Sequence, residues 1–277
     1  MLLFPCDPLN PRRADPHFAD EYAAARELER PTALIDHDLA AGGDPAGAVS
    51  KVPAVQGAVY RGWMLRSEEY AALAVALNAR GTTLKTGPDQ YRRAHELPGW
   101  YAALEVFTPA SVWTEGAGRE RFDAARSSMG SGPAVLRDYT KSMKHYWHEA
   151  MFIPDVTDAE GAWAIAARFL ELRADSLVGG FVLRRFEPFV GAEVRTWWLD
   201  GQCVLTTAHP DTPDTASAEG PDLGRVRDAV VELDLPFVAV DFARHHDGAW
   251  RVVELGDGQV SDRPASTVAS EFIAALF

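Results

Sequence analysis

The sequence predicts an α+β protein preceded by a small α/β domain, on three observations. Short apolar runs and helix-period segments alternate through the first third of the chain. The second half carries several apolar runs joined by Asp-Gly turns, the mark of antiparallel hairpins. Long helix-period segments lie between those runs.

The opening elements follow in order. Leu2–Phe4 is a short strand, and Phe18, Tyr22, Ala25 and Leu28 recur at helical spacing within Pro16–Arg30. Thr32–Asp36 is a second strand, Ala40–Gly47 a Gly/Pro/Ala loop, and Gly57–Tyr60 a third strand ending in Arg61-Gly62-Trp63. Ser67, Glu68 and Glu69 open a helix to about Ala79, closed by Gly81. Together these predict a parallel-sheet domain over residues 1–105, and the aromatic stretch Tyr91–Trp113 is expected to be an irregular connection.

Residues 106–277 read differently. Ala134–Asp138 is a strand, and Asp158–Arg173 a helix with Thr157 as its cap and Ala162, Ile165, Ala166, Phe169 and Leu170 on one face. Strands follow at Gly180–Phe186, Glu193–Leu199 and Gln202–Thr207, the last two joined by Asp200-Gly201. A Pro/Asp/Thr-rich loop, His209–Pro221, leads into the helix Asp222–Leu233. Overlapping it, Thr207–Gly220 has the composition of a mobile lid or of disorder. Phe237–Phe242 and Trp250–Glu254 pair through His246-Asp247-Gly248, and Thr267–Phe277 closes the chain as a helix.

The 277 residues are 47% hydrophobic and 24% charged, ordinary globular composition. No segment approaches the ~18 apolar residues needed to span a bilayer, and M-L-L-F-P-C-D-P lacks the basic n-region of a signal peptide. Cys6 and Cys203 make no disulfide framework, so each is expected to be a small buried hydrophobe in a reducing cytoplasm. A net charge of −13 argues against broad phosphate-driven nucleic-acid binding. Only four lysines stand beside 23 arginines, and Lys141 and Lys144 lie three apart.

Three constellations carry chemistry. First, V-V-E-L-G-D-G-Q-V-S-D, Val252–Asp262, runs a buried strand into a glycine-relieved acidic loop. Its Glu254 and Asp241 of F-V-A-V-D-F lie on neighbouring strands across the hairpin, and Asp257 follows three residues on. Oxygen donors so placed suit Mg²⁺ beside phosphates, whereas each acid alone would equally be a solvated turn residue. Second, V-L-R-D-Y-T-K-S-M-K-H-Y-W, Val135–Trp147, runs a strand into Arg137, Lys141, Ser142, Lys144 and His145, the point charges and fork donors that polyphosphate binding wants. A basic solvated loop is the plainer reading of that stretch. Third, F-V-L-R-R-F-E-P-F-V-G-A-E-V-R-T-W-W, Phe181–Trp198, breaks at Glu187-Pro188 and resumes with Glu193 and Arg195 on one face. Phe186 and Phe189 could flank an adenine and Glu193 could accept from ribose hydroxyls, or the aromatics could be core.

A basic strand, a hinge with G-x-E-x-R, then Asp on one strand and Glu on the next resembles the ATP-grasp fold. F-P-C-D-P-L, Y-R-G-W-M-L, R-D-Y-T-K-S-M-K-H-Y-W and E-L-G-D-G-Q-V-S-D are similar to one ATP-grasp clade, named for two arginines and a lysine. The resemblance implies two α+β lobes around an ATP cleft, about 106–185 and 186–277, with the N-terminal domain completing the substrate side. It implies ATP and Mg²⁺ as cofactors, small-molecule carboxylate and amine substrates such as amino acids or a peptide, and a homodimer, as such enzymes often are.

It further implies metal roles for Asp241, Glu254 and Asp257, and an adenine hinge at Glu187 with Phe186 and Phe189. Glu193 would bind ribose, Arg137, Lys141 and Lys144 would hold phosphates, and Arg195 would face the transferring γ-phosphoryl. Two positions depart from the general pattern. Arg137-Asp138 replaces a common Lys-Pro, leaving Arg137 and Lys141 as alternative main phosphate contacts; Gly256 stands where many members carry a ligand Asn. Arg61, at a strand end, and Arg263, past the acidic loop, are expected to hold a substrate carboxylate, Arg263 also assisting catalysis. The resulting reading is a carboxylate–amine ligase working through an acyl phosphate. The competing readings are ATP-dependent modification of nucleic-acid or protein termini and a non-catalytic nucleotide binder.

Overall fold

Three four-stranded sheets organise the computed structural model, in which residues 1–215 and 220–277 are described. The expected lid Thr207–Gly220 thus falls partly outside the described residues.

The first sheet contains β1 (Leu2–Asp7), β2 (Asn10–Ala14), β3 (Thr32–Ile35) and β4 (Val59–Tyr60). β3 and β4 both pair parallel with β1, whose Leu2–Phe4 core is buried, and α1 (Ala19–Glu27) links β2 to β3. The hairpin partner β2, antiparallel to β1, carries only exposed or half-buried side chains and so has no apolar alternation to betray it. In place of the expected Gly/Pro/Ala loop there are two short helices, α2 (His37–Ala41) and α3 (Pro45–Ala48). Each starts on an aspartate: Asp36 accepts from the Leu39 N–H and Asp44 from the Gly47 N–H. α4 (Ser67–Ala79) lies where its pattern predicts.

The aromatic stretch is not irregular. It folds as α5 (Pro88–His95) and α6 (Leu97–Leu104), each with proline in the first turn, where the missing N–H costs nothing. Tyr91, Trp100 and Tyr101 are buried, so this pair of short helices fills a crowded interface.

β5 (Ser111–Trp113), α7 (Arg119–Ser128), β6 (Ala134–Arg137), β7 (Phe152–Ile153), α8 (Ala159–Arg173) and β8 (Val182–Arg185) build the second sheet, ordered β5-β8-β6-β7 and antiparallel throughout. The cap of α8 is Asp158 rather than Thr157, since the Asp158 carboxylate accepts from the Gly161 N–H at 3.0 Å. α7 and α8 bury Phe122, Ala162, Ala166 and Phe169 against Leu136, Phe181 and Leu183.

Phe186-Glu187-Pro188 carries the chain into the third sheet. This holds β9 (Phe189–Leu199), β10 (Gln202–Ala208), β11 (Phe237–His245) and β12 (Trp250–Asp257), ordered β10-β9-β11-β12, with α9 (Leu223–Glu232) before β11. At the β9–β10 turn both Asp200 and Gly201 adopt positive φ, 48° and 76°, as a tight hairpin of this twist requires. α10 (Ala269–Leu276) ends the chain, and Leu2, Phe4, Trp197, Phe237, Phe272 and Ile273 form one cluster joining the first sheet to the third. No helix among the described residues is long and apolar enough to cross a membrane.

A buried ion pair reinforces that junction. Arg61, 1% exposed, grips both carboxylate oxygens of Glu21 at 2.7 and 3.0 Å and donates to the carbonyls of Gln259 and Ser261. Arg263 turns to the same Glu21 at 3.4 Å and to the Thr267 carbonyl. The expectation that Arg61 holds a substrate carboxylate meets a guanidinium already occupied by Glu21 of α1 and by the loop after β12. Arg263, whereas it was expected in the same role, bonds the carbonyls of Pro264 and Thr267 in its own segment and keeps a nitrogen with no hydrogen-bond partner among the described atoms. Removing one partner of a buried pair strands the other charge. Glu21→Ala should therefore lower the unfolding free energy by roughly 3–5 kcal/mol in urea titration, and Glu21→Leu with Arg61→Met should recover much of that. Equal loss in the single and double variants would show that packing, not charge, holds the junction.

Candidate active site

The centre of the site is one row of charge across the third sheet. Register places Arg195 of β9 opposite Asp241 of β11, and Asp241 opposite Glu254 of β12. Directly opposed residues share a sheet face, so the three side chains meet. Arg195 binds Asp241 through two bonds of 2.8 Å. Burial disfavours the Asp241 carboxylate, but Arg195 and then His209 outweigh it and hold its pKa down to about 2.

The second sheet completes the row from the other side. Arg137, at the end of β6, donates to Glu254 at 3.0 Å and to the Thr140 carbonyl at 2.9 Å. Burial opposes ionisation of Glu254, yet Arg137 keeps its carboxyl below the ordinary range. Asp138, fully buried, explains the turn that follows: one oxygen accepts the N–H groups of Thr140 and Lys141, and the other pairs with Arg173. An acid in place of proline thus builds the loop that presents Lys141 to the cleft. Desolvation lowers the Lys141 pKa, against the pull of Glu254. Lys144 pairs with Asp211 of the loop after β10, bridging the two sheets.

Beyond this row opens a cavity of about 530 Å³, lined by Trp147, Met151, Phe186, Pro188, Phe189 and Glu193 among others. Phe186 packs edge-on against Trp147 and Phe152, so it is a wall held by other aromatics. The Glu187 carboxylate is taken by Arg251 at 2.9 and 3.0 Å, so the hinge offers its main chain rather than this side chain to a ligand. A narrower space of about 230 Å³, bordered by Lys141, Arg195, Asp241 and Glu254, continues from the same cleft.

Asp257 does not join the acid row. The buried–exposed alternation along β12 puts Gly256, not Asp257, on the face of Glu254. Asp257 borders the cleft, but its carboxyl is buried: Oδ1 accepts the Gln259 N–H at 2.8 Å and Oδ2 has no partner among the described atoms. Burial pushes its pKa up to about 7. The expectation that Asp257 is a metal ligand thus meets a carboxyl on the opposite face of β12 from Glu254, one that burial pushes toward its protonated form.

Two further functional candidates emerge only from the structure. His209 sits 3.5 Å from Asp241 and 3.7 Å from Glu193, and these three side chains form a group able to hold a metal ion. Desolvation would lower the His209 pKa, but Asp241 raises it on balance; Glu193 is raised by its own burial. No spacing rule links positions 193, 209 and 241, so only the fold could reveal the group. Arg184 is the other: buried, lining the larger cavity, pushed down to about 9 by burial and Arg137, with its Nε lacking a partner among the described atoms. Alternation along V-L-R-R would place it inward with Val182.

Residues 128–276 match the model of an ATP-grasp domain family, the third of the clade named for two arginines and a lysine, and this is more than half of the chain. The chain belongs to that family. This ATP-grasp protein is also similar in fold to three solved structures. A RimK domain ATP-grasp protein from Sphaerobacter thermophilus shares 18% identity at a TM-score of 0.61, covering 99% of this chain and 98% of that one. D-cycloserine synthetase DcsG shares 18% at 0.60, covering 100% and 99%. The ATP-grasp ligase PsnB, complexed with minimal precursor, Mg and ADP, shares 15% at 0.58, covering 99% and 96%. No curated protein matches the sequence. The two α+β lobes around a cleft that the motifs imply are the architecture observed.

The raised carboxyl of Asp257 has a pH consequence. An acid whose folded pKa lies above its unfolded value of roughly 4 binds its proton more tightly when folded, so it costs stability as pH rises through that window toward 7. Asp257→Asn should stabilise the ATP-grasp protein at pH 8 by up to roughly 4 kcal/mol and barely at pH 4, read by urea unfolding at both. A variant that destabilises at pH 8 would mean that ionised Asp257 is bound by a cation.

Proposed function

We propose that this ATP-grasp protein is an ATP-dependent ligase that joins a carboxylate to an amine through an acyl phosphate, releasing ADP and phosphate. The observation that carries this is the in-register row Arg195–Asp241–Glu254, with Lys141 at the same narrow space and an aromatic cavity continuing from it.

The residues fit ATP. Phe186, Phe189 and Trp147 supply flat apolar surface for a purine, and Arg184 lines the same cavity. Lys141 borders the narrow space and Lys144 stands where it meets that cavity, both placed for phosphates. Arg137 is less available, its guanidinium being engaged by Glu254 and main-chain carbonyls, so Lys141 is the main phosphate contact in this reading. The residues also fit a divalent cation: Asp241 and Glu254 lie on one sheet face, and Glu193 and His209 flank Asp241. When bound, Mg²⁺ would neutralise phosphate charge, and Asp241 and Glu254 are the side chains that would hold it.

The chemistry asks for positioning more than covalent participation. A carboxylate oxygen bonds to the γ-phosphorus as the bond to the ADP oxygen breaks. The amine nitrogen then bonds to the acyl carbon, phosphate leaves with its electron pair, and the nitrogen loses a proton. Lys141 stabilises the negative charge that moves across these oxygens, and Arg195, held in place by Asp241, adds its positive field. PsnB has also been solved complexed with precursor peptide PsnA2 and AMPPNP, which supports a peptide or amino acid as one substrate here.

Calorimetric titration of ATP with and without Mg²⁺ should show Mg²⁺-dependent binding that Glu254→Gln abolishes. Phosphate release, screened over carboxylate–amine pairs, should fall about 100-fold or more in Lys141→Ala for whichever pair is turned over. ATP binding identical in Glu254→Gln and the native protein would remove the metal assignment. Binding without phosphate release from any pair would leave a nucleotide-binding protein instead.

A further inference from the structure

A second cavity of about 530 Å³ has Lys141 in its wall and shares no lining residue with the aromatic cavity. It shares Met64, His95, Thr140 and Lys141 with the narrow space, so the two meet at a neck. One wall is the start of α4 with Glu96, which lies between α5 and α6; the other is Arg173 and the segment Ser176–Gly179 after α8. A ligand there would touch the N-terminal third of the chain and the second sheet at once, with one end at the reacting groups.

Three carboxylates and three cations line this cavity. Glu68, Glu69 and Glu96 all come from one wall. Of the cations, Arg173 is ion-paired with buried Asp138, Arg66 donates to the Asp175 carbonyl, and Lys141 stands at the neck shared with the narrow space. Glu96 is aligned by the Ser67 hydroxyl at 2.9 Å, and Glu69 accepts the Arg66 N–H at 2.8 Å, so both carboxylates are held in position. Met64, Leu65, Leu177 and Val178 give the same space an apolar lining. A carboxylate placed against the wall of Glu68, Glu69 and Glu96 would meet three like charges. A primary ammonium compound would meet three partners and an apolar surface for its carbon skeleton.

We propose that this second cavity is the binding site of the amine substrate, an amino acid or peptide whose ammonium group is received by Glu96 and Glu68. The assignment rests on the ligase reading and deepens it by giving the nucleophile its own approach, apart from the nucleotide. His95 stands at the neck, its ring stacked on Tyr91, and burial, reinforced by Lys141, pushes its pKa down to about 4. An uncharged imidazole there can accept a hydrogen bond from the arriving amine. The carboxylate substrate is left the narrow space beside Arg195 and Lys141, whose cationic groups face the phosphates.

The test uses lysinamide, a dication without a carboxylate, as probe. Its binding to the full chain is followed by calorimetry or ligand-observed NMR, in parallel with ATP. In Glu68→Gln/Glu96→Gln the lysinamide Kd should rise about tenfold or more while the ATP Kd moves less than about twofold. Glutamine at position 96 keeps an acceptor for Ser67; if the double variant fails to fold, Glu68→Gln, on an exposed side chain, carries the comparison alone. Equal binding to native and variant protein, displacement of lysinamide by ATP, or no binding to the native protein overturns the assignment. A separate arm gives the native protein ATP, a carboxylate panel and hydroxylamine, an uncharged nucleophile at neutral pH that traps an acyl phosphate as a hydroxamate. Lysinamide binding without any hydroxamate would sink the ligase reading while leaving a cation-binding cavity; hydroxamate without lysinamide binding would sink only the amine site.

Discussion

The row Arg195, Asp241, Glu254, Arg137 sets two adjacent carboxylates between two arginines, and that arrangement governs how the two main sheets can sit. Two carboxylates on adjacent strands repel each other, and each keeps its charge through the cation at its outer side, Arg195 for Asp241 and Arg137 for Glu254. Arg195 comes from the strand flanking Asp241, and Arg137 from a different sheet altogether. The two sheets must therefore close on each other for the acids to be ionised, and the cleft between them is formed by the same closure. The Lys144–Asp211 contact and the buried Asp138–Arg173 pair hold the loop that stands at this seam.

A second set of buried charges does a different job. Glu21 serves Arg61 and Arg263 together, and Arg61 takes main-chain carbonyls of the loop that follows β12. Glu254 stands near the end of that strand, so its position is tied through a few residues to a pair on the first sheet. The Tyr60 N–H adds a bond to the Gln259 side chain at 3.1 Å, and Gln259 in turn meets the Tyr70 hydroxyl. The N-terminal third is thus part of the site's frame as well as a wall of the cavity beside it. Arg61 and Arg137 divide those two tasks between them, and their sequence contexts, each at a strand end, look alike.

Much of this is legible without coordinates. Period-two apolar runs closed by Asp-Gly turns identify the central hairpins, and Asp241 and Glu254 fall opposite each other because a short hairpin leaves little freedom of register. What stays hidden has local causes. β2 and α7 present few buried side chains, so neither has a strong period. The helices α5 and α6 are masked by their prolines and by aromatics that pack on several elements instead of one stripe. Asp257 lies one residue of alternation away from the face it was expected to share. Arg61 shows that a buried structural arginine and a ligand-binding arginine can occupy the same kind of strand end.

From the linear pattern come most of the strands, the main hairpin pairs, the residues that share a face of a strand, and hence an arginine and two acids on neighbouring strands. Those are consequences of backbone geometry acting over a few residues, and a local pattern carries them. Folding in three dimensions adds that His209 joins Glu193 and Asp241, that Arg137 answers Glu254, and that Glu68 and Glu96 face a cavity beside Lys141. Such contacts join positions far apart in the chain, and their energies depend on burial that no local pattern encodes. The chemistry of single residues is readable in the sequence; the company they keep is not.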